Sequence, residues 1–326
     1  MTIFTAKSLL FAAMACAFAC SASAAPYALA NGPGDGTLSV GVDGHGAFGS
    51  AVGTNSTDAT YDPVGAAPPA AGTAFESGVA IRIGTAATRS FLTSGSIGSS
   101  GGLANPTVTG SATSGSSSFI FGGLSFSLTQ VLAPTFVGVV RTGSVLTQTY
   151  VITNTGTVGT SFEMMRYLDG DLLFDGSLSD GGGRLFTSGG TEVLFETDSA
   201  TGSSSSTTFV GITGEGGTIP TTGRYEIDSF SGLRARIIAG TALDDTVTGD
   251  ADADQFIDAS GGYDVTLALR NLFTLAADSS GTYVTRTFWG TGAPADVGGG
   301  RVPEPASLAL LGLGLAGLAA SRRRKA

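Results

Sequence analysis

Alternation of apolar and polar residues is the dominant pattern in the middle of the chain. Residues 145–153 show it most clearly, with Leu146, Tyr150 and Ile152 on one face and threonine and valine on the other. Alternation of this kind is typical of half-buried β-strands. The predicted strands cover residues 74–83, 119–128, 136–140, 145–153, 162–168, 191–196, 207–212, 223–227, 233–238, 263–269 and 282–288.

The segments between these runs are rich in Gly, Ser, Asp and Asn, which favour turns. Gly122-Gly123 interrupts the run 119–128 and predicts a β-bulge. Residues 265–276 carry part of a helical period, but they also alternate. The sequence therefore predicts an all-β fold, an antiparallel β-sandwich of roughly ten to twelve strands.

Residues 149–156 end in Asn154-Thr155-Gly156, which predicts a tight turn. The stretch resembles the V-x-N-T-G turn of many bacterial surface domains with immunoglobulin-like folds. The resemblance implies that an Asn-centred turn joins two strands of the sandwich, and it implies nothing about activity.

Residues 25–73, upstream of the alternating region, are rich in Gly, Ala, Pro and Asp. One alternating run, 37–42, predicts a single strand there. We therefore expect a loose lead over residues 25–73, a β-sandwich domain over 74–292, and a flexible linker over 293–301, where Pro294 is followed by three consecutive glycines.

The N-terminus has the layout of a secretory signal peptide, which predicts a signal helix within residues 1–24. Lys7 precedes an unbroken apolar run over residues 9–20, and small residues follow. Ala22 and Ala24 are placed for signal peptidase, with cleavage after Ala24. The alternatives are a cytosolic apolar helix and a lipoprotein signal at Cys20, which the bulky Phe18 disfavours.

Both cysteines, Cys16 and Cys20, lie in the segment that signal peptidase would remove. The exported protein would then contain no disulfide, and its core alone would stabilise it.

The C-terminus combines a rigid tripeptide, a short apolar run and a basic tail. Pro303-Glu304-Pro305 precedes fifteen uncharged residues, 306–320, and the basic residues Arg322, Arg323, Arg324 and Lys325 follow. A fifteen-residue helix reaches roughly 22 Å, which is short of a hydrocarbon core of roughly 30 Å. The run therefore predicts a marginal transmembrane helix, and the four cations favour a cytoplasmic C-terminus as a stop-transfer signal.

This order of tripeptide, apolar span and basic tail resembles the PEP-CTERM sorting signal of Gram-negative bacteria, here over residues 302–326. The resemblance implies that Pro303, Glu304 and Pro305 are read by a membrane-embedded exosortase, which cuts near the motif and passes the protein to the cell surface or the exopolysaccharide matrix. The alternative is an ordinary membrane anchor that is never processed.

Without the two targeting segments the remaining body is strongly acidic. Of 16 basic and 26 acidic residues in the chain, 11 and 25 remain, a net charge of −14, and the body contains no lysine. Such a surface repels nucleic acid and anionic lipid, so neither is an expected partner.

Acidic residues form two candidate cation sites. The first cluster consists of Asp169, Asp171, Asp175 and Asp180, and the second of Asp244, Asp245, Asp250, Asp252, Asp254 and Asp258. We favour the second for calcium, at Asp250, Asp252 and Asp254, because D-x-D-x-D begins many calcium loops. An EF-hand loop requires Gly and Glu at the positions that Gln255 and Gly261 occupy here. The second cluster therefore does not match the EF-hand pattern. A solvated acidic turn without metal is the alternative, and no other cofactor is expected.

Residues for most forms of catalysis are missing from the sequence. His45 is the only histidine, and no helical pattern follows the formal G-x-G-x-x-G around it. The sequence therefore lacks the residues that a zinc site, or Ser-His or Cys-His catalysis, requires. A glycosidase could use two acids, but we expect Trp289, the single tryptophan, in the core and not in a sugar-binding cleft.

The sequence thus favours a non-enzymatic structural protein of the cell surface or extracellular matrix. It would be exported, held transiently at the inner membrane by its C-terminal helix, and sorted by an exosortase into a biofilm or exopolysaccharide layer. Its expected partners are signal peptidase, the exosortase and exopolysaccharide. The alternatives are a calcium-dependent carbohydrate-binding or adhesive module and a glycan-cleaving enzyme.

Overall fold

The computed structural model describes residues 25–65, 68–199, 207–258, 262–291 and 294. The signal segment 1–24, the sorting segment 302–326 and nearly all of the linker 293–301 lie outside these ranges. In the described part of the chain, no helix has the length and hydropathy needed to cross a bilayer.

Over the described ranges the chain forms twenty strands and one helix. In chain order these elements are β1 (Tyr27–Ala30), β2 (Leu38–Val42), β3 (Ala59–Tyr61), β4 (Ala71–Gly72), β5 (Ala74–Ile83), β6 (Ser90–Phe91), β7 (Ser96–Ile97), β8 (Ser100–Gly101), β9 (Thr109–Ser111), β10 (Ser114–Phe121), β11 (Leu124–Val137), β12 (Val140–Asn154), β13 (Thr160–Gly170), β14 (Gly181–Phe186), β15 (Glu192–Thr197), β16 (Thr208–Glu215), β17 (Tyr225–Ser229), α1 (Phe230–Ile238), β18 (Thr246–Val247), β19 (Val265–Leu275) and β20 (Ser280–Thr291).

Two large sheets dominate the described structure. The eight-stranded sheet has the order β14-β15-β16-β20-β12-β11-β10-β9, and the six-stranded sheet has the order β18-β17-β19-β13-β5-β6. Neighbouring strands are antiparallel except β17 and β18, which are parallel. The short strands β1 to β4 form a third sheet, and β7 pairs with β8. The predicted all-β, antiparallel class is confirmed. The predicted number of ten to twelve strands was too low, because strands of two or three residues are too short to show an alternation of apolar and polar residues in the sequence.

The core lies between the two large sheets, because the inward side chains of both contribute to the same clusters. Leu146 and Trp289 of the eight-stranded sheet pack with Leu168 and Leu267 of the six-stranded sheet. A second cluster joins the sheets further along, through residues such as Phe126 and Met164. Removal of these apolar faces from water is the main force that holds the layers together.

Asn154 forms the turn that carries the chain from one large sheet to the other. Its amide nitrogen donates to the carbonyl oxygens of Val158 (2.7 Å) and Ala276 (3.1 Å), while its Oδ1 accepts from the Gly156 N–H at 3.0 Å. Strand β12 ends at Asn154 in the eight-stranded sheet, and β13 begins at Thr160 in the six-stranded sheet. The predicted Asn-centred turn is therefore present, and it connects the two layers.

Two of the predicted strands are in fact hairpins. Gly122 and Gly123 have φ of +57° and +82°, so they form the two-residue connection between β10 and β11 and not a bulge. Positive φ at both central residues matches the twist of a tight hairpin and favours glycine. The predicted strand 136–140 likewise contains the turn between β11 and β12, with Gly138 at φ +63°.

The predicted strand 233–238 is wrong, because these residues belong to helix α1 (Phe230–Ile238). The helix buries Leu233 and Ile237, which lie four positions apart on one face. They pack with Phe91 and Tyr167 against the outer side of the six-stranded sheet.

Residues 25–73 are more ordered than the loose lead that we expected. They form β1 to β4, and Leu29, Leu38 and Tyr61 are buried in the cluster that contains Trp289. The Trp289 Nε1 donates to Thr73 Oγ1 at 2.8 Å. The segment therefore shares the core of the β domain, although its composition, rich in Gly, Ala, Pro and Asp, predicted a loose lead.

Candidate functional site

The acidic loop at residues 250–258 brings together the three aspartates predicted to bind calcium. One carboxylate oxygen from each of Asp250, Asp252 and Asp254 lies within 4.8 Å of the other two. Asp252 and Asp254 are exposed and Asp250 is half-buried. The three side chains are therefore close enough to share one hard cation.

The same carboxylates also organise the loop backbone. Asp250 accepts the N–H groups of Asp254 (3.1 Å) and Gln255 (2.9 Å), and Asp254 accepts that of Phe256 at 2.9 Å. These bonds hold Ala253 and Gln255 at positive φ. The loop can thus exist as a self-bonded acidic turn, and calcium at this site stays a prediction.

A second group of acids lies inside the protein. We call Asp169, Asp171, Asp180, Glu196 and Asp264 the interior acid cluster. Glu196 is fully buried and Asp169 and Asp180 are 1% exposed, while Asp171 and Asp264 are half-buried. The sequence pointed to Asp169, Asp171 and Asp180, but it gave no indication of Glu196 or Asp264.

Strand pairing brings the members of the interior acid cluster together. Asp180 precedes β14 and exchanges backbone hydrogen bonds with Tyr263 at 2.9 and 3.1 Å, which places it beside the residue preceding Asp264. Asp169 lies on β13 at a register shift before Gly170. A Cβ atom added at Gly170 would lie 1.9 Å from Glu196 Oε2, so the Glu196 carboxyl rests against the bare backbone of Gly170.

Five oxygens of this cluster receive no hydrogen bond from the described residues: both of Asp169, both of Glu196, and Oδ1 of Asp180. The other buried glutamates of the described structure are paired with arginines. Glu163, for example, contacts Arg89 at 2.5 Å and Arg82 at 2.9 Å. Glu196 therefore differs from the other buried glutamates in lacking an arginine partner among the described residues.

Burial and mutual repulsion shift the proton affinities of this cluster. Burial raises the pKa of Asp169 to about 9, and the charges of Asp264 and Glu76 act in the same direction. Burial also raises the pKa of Asp180 to about 8, and that of the adjacent Glu196 well above its usual range. Burial raises the pKa of Asp171 to about 6. These groups thus favour either protonation or a bound cation.

Asp180 and Glu196 lie within hydrogen-bonding contact of each other. Two carboxylates cannot donate to one another, so this contact becomes a hydrogen bond only when one group holds a proton.

A surface groove of about 490 Å³ lies away from these acids. Arg184 stacks over the Tyr225 ring at 3.9 Å within it, and Glu192 pairs with Arg184 at 2.8 Å and with Arg224 at 2.6 Å. Asp245, which also lines the groove, accepts the backbone N–H groups of Arg224 (2.6 Å) and Tyr225 (3.2 Å), so these acids are already bonded within the protein.

His45 and Trp289 are both core residues. His45 is 2% exposed and packs edge-on against Phe119, and the following Phe48 bridges to Ser77 in a β arrangement. The G-x-G-x-x-G around His45 therefore opens no helix and is not a dinucleotide site. Trp289 is 1% exposed, as expected for a core residue.

Comparison with protein-family models places the sorting function at the C-terminus. Residues 301–325 match the family described as the PEP-CTERM protein-sorting motif. The chain carries a PEP-CTERM sorting motif. The match spans Pro303, Glu304 and Pro305 together with the basic tail, and it is consistent with an exosortase substrate.

The PEP-CTERM motif indicates an exported protein that is processed at the membrane and sorted to the cell surface. The geometry of the motif lies outside the described residues, and so do Ala22 and Ala24. A comparison with curated proteins returned no match for this chain.

Proposed function

We propose that this protein is a non-enzymatic structural component of the cell surface or extracellular matrix, associated with exopolysaccharide or biofilm. The PEP-CTERM motif at residues 301–325 carries this proposal. Signal peptidase cuts after Ala24, and the exosortase acts near Pro303-Glu304-Pro305. The β domain is the part that reaches the surface.

The character of the protein surface supports a role in a hydrated matrix. Every arginine in the described residues is engaged by carboxylates or carbonyl oxygens of the chain itself, as Arg141 is by the Gly36 carbonyl at 3.0 Å. The positive charges are therefore already bonded to groups of the protein itself. The exterior that remains is acidic and well solvated.

The outer face of the eight-stranded sheet is lined with hydroxyl groups. Ser116, Thr129 and Thr149 stand side by side on β10, β11 and β12, with Ser116 and Thr129 exposed. Rows of uncharged hydroxyls can exchange hydrogen bonds with water or with sugar hydroxyls. This face is the surface that we assign to exopolysaccharide.

Burial of the perturbed acids favours a structural role over glycan cleavage. A glycosidase needs a protonated acid and a second carboxylate that both reach the substrate. The acids with the most strongly raised pKa, Asp169, Asp180 and Glu196, are at most 1% exposed, so a polysaccharide cannot touch them. Glycan cleavage is therefore the outcome of the test below that would contradict the proposal.

A calcium-dependent carbohydrate-binding or adhesive module is the second candidate. The observation that favours it is the approach of Asp250, Asp252 and Asp254 to within 4.8 Å. In this case calcium would sit in an exposed loop, where it could bridge to a sugar hydroxyl.

Incubation of the exported protein with exopolysaccharide from the producing cells tests these functions together. We expect the protein to sediment with the polymer in calcium or in EDTA and to release no reducing ends. Sedimentation that requires calcium and is lost in D252N/D254N would favour the adhesive module. Release of reducing ends that D180N or E196Q abolishes would contradict a structural role.

A further inference from the structure

The Asp180–Glu196 pair has three unsatisfied carboxylate oxygens in the described part of the protein interior. Both oxygens of Glu196 and Oδ1 of Asp180 lack a hydrogen-bond donor, and each residue is at most 1% exposed. A buried carboxylate without a partner is strongly destabilising, so a native site of this kind requires either protons or a cation.

No side chain in the described residues supplies the missing positive charge. Arg234 lies near Asp169, but it binds both oxygens of Glu76 at 2.9 and 3.0 Å. The body contains no lysine, and its single histidine lies beside Asp43. The pair is therefore not one half of an internal salt bridge.

Glu196 packs its carboxyl directly against the backbone of Gly170. Glu196 points at Gly170, where an added Cβ atom would lie 1.9 Å from Oε2. A side chain at position 170 would clash with this carboxyl, so glycine there lets Glu196 lie beside Asp180 and Asp169. Glu196 is fully buried and neither of its oxygens has a hydrogen-bond donor among the described residues, which is an observation independent of the number of acids nearby.

We propose that Asp180 and Glu196 bind a calcium ion in the interior of the exported protein. Carboxylate and carbonyl oxygens are the ligands that calcium prefers, and the site contains neither histidine nor cysteine. Asp169, Asp171 and Asp264 surround the pair with further negative charge, which favours a divalent over a monovalent ion. This site is separate from the exposed Asp250 loop.

Calcium bound by Asp180 and Glu196 would attract the Asp169 carboxylate of the other large sheet. Glu196 lies on β15 and Asp180 precedes β14 in the eight-stranded sheet, whereas Asp169 on β13 belongs to the six-stranded sheet. The ion would be taken up outside the cell, where calcium is abundant, so export and final stabilisation would be coupled.

Thermal unfolding of the protein recovered from culture, in EDTA and in calcium chloride, tests the proposal. A ligand at 100 times its dissociation constant raises the melting temperature of a domain of this size by about 5–10 °C. We expect this shift in the wild type and in the loop variant D252N/D254N, and we expect E196Q to lose it. In EDTA, E196Q should be at least as stable as the wild type, because an amide needs no proton.

Calorimetric titration of D252N/D254N supplies a measurement that does not depend on altering the interior site. We expect this variant to bind one calcium ion. Absence of binding, or a thermal shift that survives in E196Q and disappears in D252N/D254N, would overturn the proposal. A melting temperature that is the same in EDTA and in calcium, and that rises only on acidification, would show that Asp180 and Glu196 share a proton instead.

Discussion

The guanidinium group of Arg166 on β13 donates a hydrogen bond to Thr287 Oγ1 on β20 at 2.9 Å, and so links the two large sheets through the core. The same group donates to Ser77 Oγ at 2.7 Å and to the Gly78 carbonyl at 3.0 Å. Arg166 is fully buried and has no carboxylate partner in the described ranges, and burial lowers its pKa to about 10. Its charge is therefore stabilised by neutral hydrogen-bond acceptors, and each acceptor contributes to the stability of the folded protein.

Thr287→Val should destabilise the protein by about 1–3 kcal/mol, since it removes one acceptor from a buried cation while preserving side-chain shape. Urea denaturation measures the change. Thr282→Val is the matched control, because Thr282 is exposed on the same strand and should change stability by less than about 0.5 kcal/mol. Equal effects of the two variants would show that the Arg166 link contributes nothing.

Leu38→Ala should cost about 2–5 kcal/mol, because Leu38 on β2 is 1% exposed in the main core cluster. Ser39→Ala, at the exposed neighbouring position, should be nearly neutral. The fluorescence of Trp289, the single tryptophan, reports unfolding in both variants. If L38A unfolds at the wild-type urea concentration, residues 25–73 are a loose lead after all.

Stability should depend on pH through Glu226, which is 1% exposed on β17. Burial raises its pKa to about 7, against the opposing effects of the Asp244 N–H and the Arg236 charge. The unfolded value is about 4.3, so the folded state holds the extra proton between these pH values. The stability that this proton contributes is complete below about pH 4.3 and is lost as the pH rises through 7.

Glu226→Gln cannot ionise, so the variant should gain stability relative to the wild type between pH 4.5 and pH 8. Urea denaturation in EDTA across this range measures the difference while keeping cations out. A difference that stays constant with pH, or that moves in favour of the wild type, would argue against a raised pKa at Glu226.

Glu304→Ala should block sorting, because it removes the single charge between the two prolines of the motif. We expect a full-length, membrane-retained protein on immunoblots of fractionated cells, and the same result when residues 322–325 are deleted. Asp296→Ala, upstream of the matched residues, is the control and should be processed normally. Normal size and location of E304A would exclude Glu304 from recognition.

The fold class was predictable because alternation is a local property. The predicted strand 74–83 coincides with β5, and the turn at Asn154 lies where its sequence placed it. Helix α1 was missed because Leu-Arg-Ala-Arg-Ile-Ile over residues 233–238 also alternates, and only tertiary packing of Leu233 and Ile237 distinguishes the two structures.

The interior acid cluster was only partly visible in the sequence because strand pairing assembles it. Asp169 and Asp180 are close in the chain, but Glu196 comes from β15 and Asp264 from the segment before β19. The burial of residues 25–73 has the same origin, since it depends on partners as distant as Trp289. Local patterns cannot report contacts of this range.

Mass spectrometry of both ends of the mature protein, recovered from the cell surface and the culture medium, shows whether both targeting segments are removed. We expect an N-terminus at Ala25 and a C-terminus at or near Pro303-Glu304-Pro305, without the basic tail. Intact molecules that still end at Ala326, found free in the cytosol, would contradict this expectation.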